Sequence, residues 1–127
     1  MERVVLGEDA QAELLKSVAH PVRLRILAQL VREEECVCHL SALLEKPQPY
    51  ISQQLAGLKA AGLVLDRRDA QRIFYRTANP RIGDLLRAVA VLAGLTEPAG
   101  GERHPVPRCP CPKCDTSAHS RAVIMED

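Results

Sequence analysis

Five cysteines stand in two groups, Cys36-x-Cys38 and Cys109-x-Cys111-x-x-Cys114. The N-terminus is not expected to act as a secretory signal, because its apolar run Val4-Val5-Leu6 is short and Glu8 and Asp9 follow at once. In such a chain, thiols at this spacing are ligands or redox groups more often than structural disulfides. Thiolate sulfur suits soft and borderline ions. Three or four thiolates would hold trivalent arsenic or antimony, cadmium, lead or zinc. Two well-placed thiols would suffice for a redox or persulfide switch. Pro110 and Pro112, between the later cysteines, remove part of the ordering entropy in advance. Glu33, Glu34 and Glu35 precede the first pair and should attract a cation.

A second chemistry is written in charge. The net charge is +1, yet residues 46–81 carry seven basic side chains (Lys46, Lys59, Arg67, Arg68, Arg72, Arg76, Arg81) against Asp66 and Asp69. A local excess of that size is the footprint expected where phosphates are contacted. The three aromatic residues, Tyr50, Phe74 and Tyr75, are too few for a module that stacks bases on exposed rings. No Gly-rich phosphate loop, nucleophile–base pattern or close carboxylate pair points to an enzyme. The longest uncharged apolar stretch, residues 88–95, is too short to span a bilayer. A cytoplasmic protein without a membrane partner is expected.

The elements that must position these groups are punctuated clearly. Asp9 caps a first helix to Val18, with Leu14, Leu15 and Val18 on one face. Pro21 opens a second helix whose stripe is Val22, Ile26, Leu27, Leu30 and Val31. A short third helix covers His39–Glu45, and Pro47-Gln48-Pro49 breaks the chain. A fourth helix begins at Pro49, turns Ile51, Leu55 and Leu58 inward and stops at Gly62. Leu63–Arg67 and Arg72–Thr77 then read as two strands joined by residues 68–71. Asn79-Pro80 starts a fifth helix with Ile82, Leu85, Leu86, Val89 and Leu92 in its stripe. The composition shifts beyond residue 95: residues 96–127 hold five of the nine prolines and three of the five cysteines. The expected organisation is therefore a folded unit over 1–95 and a Pro/Cys-rich extended tail over 96–127.

Short helix, tight turn, second helix and basic hairpin make a winged helix-turn-helix, mainly α with a two-stranded β-hairpin wing. With Ile51, Leu55 and Leu58 facing the core, Gln48, Tyr50, Ser52, Gln53 and Gln54 remain for double-stranded DNA. Gln pairs with adenine edges, and Ser reaches a base or a phosphate. Arg67, Arg68 and Arg72 on the wing would follow the backbone or the minor groove.

Four stretches carry a family likeness. They are Ala19-His20-Pro21-Val22-Arg23-Leu24-Arg25-Ile26-Leu27, Cys36-Val37-Cys38-His39-Leu40, Ile51-Ser52-Gln53-Gln54-Leu55 and Gly62-Leu63-Val64. Over residues 9–95 the chain resembles the ArsR–SmtB repressors. The resemblance implies a homodimer formed through the outer helices, bound to an inverted-repeat operator and released by an effector. It also implies that His20 packs between the first two helices. In the arsenical-sensing members an Asp follows the Cys-Val-Cys pair and a third Cys stands three residues after it. Here those positions hold His39 and Ser41.

Two arrangements follow. Cys109, Cys111 or Cys114, from the same or the other subunit, completes a site with Cys36 and Cys38, or the three later cysteines bind alone. The fifth-helix zinc site of SmtB-like members needs His and Glu ligands. Residues 81–95 contain Asp84 but neither of those, so that site is not expected. His39, His104 and His119 are expected to be solvated.

Overall fold

Helix boundaries follow the punctuation residues closely. The computed structural model describes residues 7–95. Helix α1 spans Gly7–Val18, α2 Pro21–Arg32, α3 Val37–Leu44, α4 Gln48–Ala60 and α5 Arg81–Leu92. Pro21 takes the first helical position of α2, where a missing N–H costs nothing, and holds His20 in an extended conformation. His20 is exposed, so its expected packing between α1 and α2 is not seen. Asp9, expected to cap this helix, lies inside it, because α1 already includes Gly7 and Glu8.

Gly62, with φ of 79°, ends α4 in the left-handed conformation that glycine adopts without strain. Its N–H bonds to Lys59 O at 2.9 Å, and the next N–H, of Leu63, bonds to Leu58 O at 2.9 Å. Leu58 and Leu63 are both buried, which sets the exit direction into the wing. At the other end of the hairpin, Asn79 Oδ1 accepts the Arg81 N–H at 2.8 Å and starts α5.

The wing is longer and better connected than expected. Strand β2 spans Val64–Asp69 and β3 spans Arg72–Thr77, antiparallel, with Asp69 opposite Arg72. Only Ala70 and Gln71 turn the chain, and Ala70 has φ of 59°. A third strand, β1 (Glu35–Cys36), pairs with the other edge of β3, placing Glu35 opposite Tyr75 and Cys36 opposite Phe74. The sheet order is β1-β3-β2, so the two-stranded hairpin is as expected and β1 is a third strand that the sequence did not show. Two residues are too short to show a period, and Glu-Cys has no strand preference of its own.

The main core joins Ile26, Leu27 and Leu30 of α2, Leu40 and Leu44 of α3, and Ile51, Leu55 and Leu58 of α4 with Ile82 and Leu86 of α5. A turn at 45–47 holds α3 against α4; Ser41 Oγ donates to Lys46 O, and Lys46 N–H returns to Ser41 O at 3.1 Å. Leu14 and Leu15 on α1 and Val89, Val91 and Leu92 on α5 remain exposed, Leu92 by 89%. Among the described residues no helix is long and apolar enough to cross a membrane. The expected tail over 96–127 lies outside the described residues.

Candidate functional site

The helix-turn-helix face is built by burying one side of α4. Ile51, Leu55 and Leu58 are fully buried, which leaves Gln48, Tyr50, Ser52 and Gln53 exposed at its first turns. Gln54 is placed differently. Its Oε1 accepts a 2.9 Å hydrogen bond from Arg23 Nε, while Arg23 Nη1 donates to Ser17 O at 2.9 Å. A Cβ at Gly57 would lie 2.3 Å from Arg23 Nη2, so the bare glycine makes room for the guanidinium. Gln54 thus ties α4 to the α1–α2 junction, and its oxygen is occupied within the protein.

On the wing, Arg68 is exposed and Arg72 is half-buried. Arg67 is engaged on three sides. It donates to both oxygens of Glu34, from Nε at 2.7 Å and Nη2 at 2.6 Å. Its Nη1 lies 3.6 Å from Asp69, and its guanidinium sits 4.9 Å over the Phe74 ring. Hydrogen bonding to Glu34, more than the pull of Asp69, holds the Arg67 pKa above its already high value. The sequence reading grouped Arg67 with Arg68 because neighbours in a charge run look alike. On a strand they face opposite sides. On that other side, Tyr75 stands opposite Asp66; burial, then Asp66, raises its phenol pKa. Lys59 pairs with Asp66 at 3.0 Å.

The thiol pair lies where β1 becomes α3. Cys36 is the residue that caps α3, Cys38 sits in its first turn, and their Sγ atoms are 3.0 Å apart. Cys36 is 3% exposed and Cys38 is half-buried. Cys36 packs with Phe74 in a small cluster flanked by Cys38, Ala42 and Leu43. Beside the pair, Gln29 Nε2 donates to Glu35 Oε2 at 2.7 Å, and His39 Nε2 lies 3.6 Å from the same oxygen. Glu35 is completely buried and His39 nearly so. The expected solvated His39 is corrected here, and two of the three glutamates before the pair are already engaged within the protein. Strand pairing with Tyr75 turns Glu35 inward, and Arg67 engages Glu34.

Two thiols suit a soft ion but do not complete a ligand set. Among the described residues no group of three or more His, Cys, Asp or Glu side chains could hold a metal. Cys109, Cys111 and Cys114, with His104 and His119, lie outside the described residues. On α5, Asp84 is exposed and pairs with Arg87 at 2.5 Å.

Helix, turn, helix and a sheet-anchored hairpin define a winged helix-turn-helix protein. Residues 20–65 match the model of the bacterial regulatory proteins of the arsR family. The chain is 40% identical over 86 residues to the HTH-type transcriptional repressor SmtB of Mycobacterium tuberculosis, covering 68% of this chain and 64% of that repressor's length. It is also similar to the solved structure of NolR from Sinorhizobium fredii, with 34% identity, a TM-score of 0.62, and coverage of 75% of this chain and 99% of that one. A third relative is the homodimeric winged helix-turn-helix DNA-binding domain Mb0332 of Mycobacterium bovis, 32% identical with a TM-score of 0.63, covering 68% of this chain and 81% of that one. The chain belongs to the ArsR–SmtB family of transcriptional regulators.

Proposed function

We propose that this protein is a homodimeric repressor that binds an inverted-repeat operator and releases it when cysteine thiolates bind a thiophilic effector. The effector proposed first is arsenite or antimonite, with cadmium, lead or zinc as further ions. One observation carries the reading: two thiols 3.0 Å apart at the start of the helix that supports the reading helix. Cys36 and Cys38 would supply two sulfurs, and one or more of Cys109, Cys111 and Cys114 the rest. Ligands beside the turn give binding a short route to α4. Gln48, Tyr50, Ser52 and Gln53 would face the major groove, and Arg68 and Arg72 the phosphates. The exposed leucines and valines of α1 and α5 would be covered by a second copy, and one relative, the Mycobacterium bovis domain, is homodimeric.

The test is a titration of the full-length protein with arsenite, reading thiolate charge-transfer absorption and the anisotropy of a labelled duplex together. The duplex is one that the protein has selected from a random pool. Both signals should saturate at the same stoichiometry. Absorption without release would leave a binding protein that does not sense.

The wing carries its own expectation. Arg68→Ala and Arg72→Ala should each weaken cognate and scrambled duplexes alike and lower the salt slope by about one. Normal binding of both variants at every salt concentration would remove the wing from the interface.

The same 3.0 Å separation favours a second reading, in which the pair closes to a disulfide. Two thiols would then give two protons and two electrons to an oxidant such as hydrogen peroxide, which leaves as water. Release by peroxide after all cysteines but Cys36 and Cys38 are replaced by serine would select this reading over ligation.

A further inference from the structure

Cys36, Phe74 and Arg67 form one row across the sheet. Strand β3 lies in the middle, and Phe74 stands opposite Cys36 on one side and opposite Arg67 on the other. Side chains directly opposite in an antiparallel ladder share a face. Here they also touch: Cys36 and Phe74 are packed together, and the guanidinium lies over the ring. The row closes on itself, because Arg67 also grips Glu34, two residues before Cys36. The wing is thus fastened to the segment entering the thiol pair twice, by a ring and by a carboxylate.

The fastening is suited to setting direction. A bidentate Arg–carboxylate pair fixes orientation as well as energy, and stacking on an aromatic face restricts the guanidinium further. Arg67 and Glu34 are both partly exposed, so the pair adds little to global stability. What it adds is a side-chain tie from β2 to the residue just before β1, beside the backbone pairing of β1 with β3. Cys36 is 3% exposed and packed on Phe74, so a reagent reaches its sulfur only if sulfur or ring moves.

We infer that Arg67 is a positioning residue that couples the thiol pair to the wing, clamping the hairpin in its DNA-binding orientation until Cys36 reacts. Movement at Cys36 displaces Phe74, loosens the Arg67–Glu34 pair and lets the hairpin turn. This inference rests on the proposed thiol sensor, and it takes Arg67 out of the phosphate-contacting set. A coupling element must have two arrangements that both sites bias, and a clamp that is closed or open meets that requirement.

The test uses full-length Arg67→Gln, Glu34→Gln and the double variant. Binding to a duplex selected from a random pool is measured with and without arsenite across a salt series. Separately, without DNA or arsenite, the alkylation rate of Cys36 by N-ethylmaleimide is read by peptide mass mapping. Each single variant should bind the duplex at least about fivefold more weakly before arsenite is added, with its salt slope kept, and its arsenite response should shrink by a similar factor. The double variant should lose no more than either single one, since both remove one interaction.

Cys36 should alkylate at least about fivefold faster in all three, while Arg76→Gln, an equal charge change on the same hairpin, keeps the wild-type rate. A salt slope lowered by about one in Arg67→Gln would mean a phosphate contact and overturn the proposal. So would wild-type alkylation together with a full arsenite response. If the wild type ignores arsenite while Arg67→Gln still alkylates faster, the arsenite reading falls and the clamp between thiols and wing stands.

Discussion

The double substitution Cys36→Ser, Cys38→Ser is expected to give a dimer that holds its operator and does not let go when arsenite or cadmium is added. Serine keeps the shape of both side chains, and neither sulfur lies on the exposed face of α4, so DNA binding should survive. What disappears is the differential affinity of the effector for the two states. A ligand that binds both states equally shifts nothing, however tightly it binds. The wild-type coupling should amount to about 1–3 kcal/mol, and operator DNA should weaken effector binding by the same factor. A divalent ion such as cadmium displaces the thiol protons, so its binding should release protons and strengthen as pH rises, whereas As(OH)3 carries those protons off in its leaving water and should bind with little pH dependence near neutrality. Operator anisotropy at fixed DNA, titrated with cadmium and with arsenite at two pH values, reads all of this. Deleting residues 103–127 should mimic the double variant if the later cysteines complete the site, since two sulfurs alone are a poor trap. A truncated protein that releases DNA at an unchanged arsenite concentration would take the tail out of the sensor.

Most of the fold was legible because its signals are local. The inward trio Ile51, Leu55 and Leu58 follows from helical spacing, and Gly62 and Asn79-Pro80 mark boundaries by backbone chemistry that tertiary context does not override. Strand β1 was not legible. It exists because β3 offers an unpaired edge to whatever chain enters α3, and two residues carry no period of their own.

The same strand hides much of the site. Reading Glu33, Glu34 and Glu35 as one acidic run missed that pairing turns Glu35 into the core towards Gln29 and His39. Glu34 reaches across to Arg67, 33 positions away in sequence. Charge counting sees both residues of such a pair as surface charges. The available signal was alternation: Arg67 shares a strand face with Phe74, the wing's one buried aromatic, while Arg68 does not. Arg23 and Gln54 are a similar case, a contact between helices that no spacing rule connects.

That contact makes two adjacent glutamines behave oppositely. Gln53 is exposed on the outward face of α4, so Gln53→Ala should cost about 1–3 kcal/mol of discrimination between the selected operator and a mutated site if it reads a base edge. Ser52→Ala should act in the same direction, and both variants should unfold at the wild-type temperature. Gln54→Ala should do the reverse. It leaves the half-buried Arg23 guanidinium without its Gln54 acceptor, for roughly 1–2 kcal/mol of stability, while discrimination between sites stays at the wild-type ratio. Chemical unfolding and competition binding against single-base operator variants separate the two effects. Equal loss of discrimination in Gln53→Ala and Gln54→Ala would mean that α4 rotates on DNA and breaks the Arg23 bond. A Gln53→Ala protein that discriminates as well as wild type would move sequence reading to Gln48, Tyr50 and the wing.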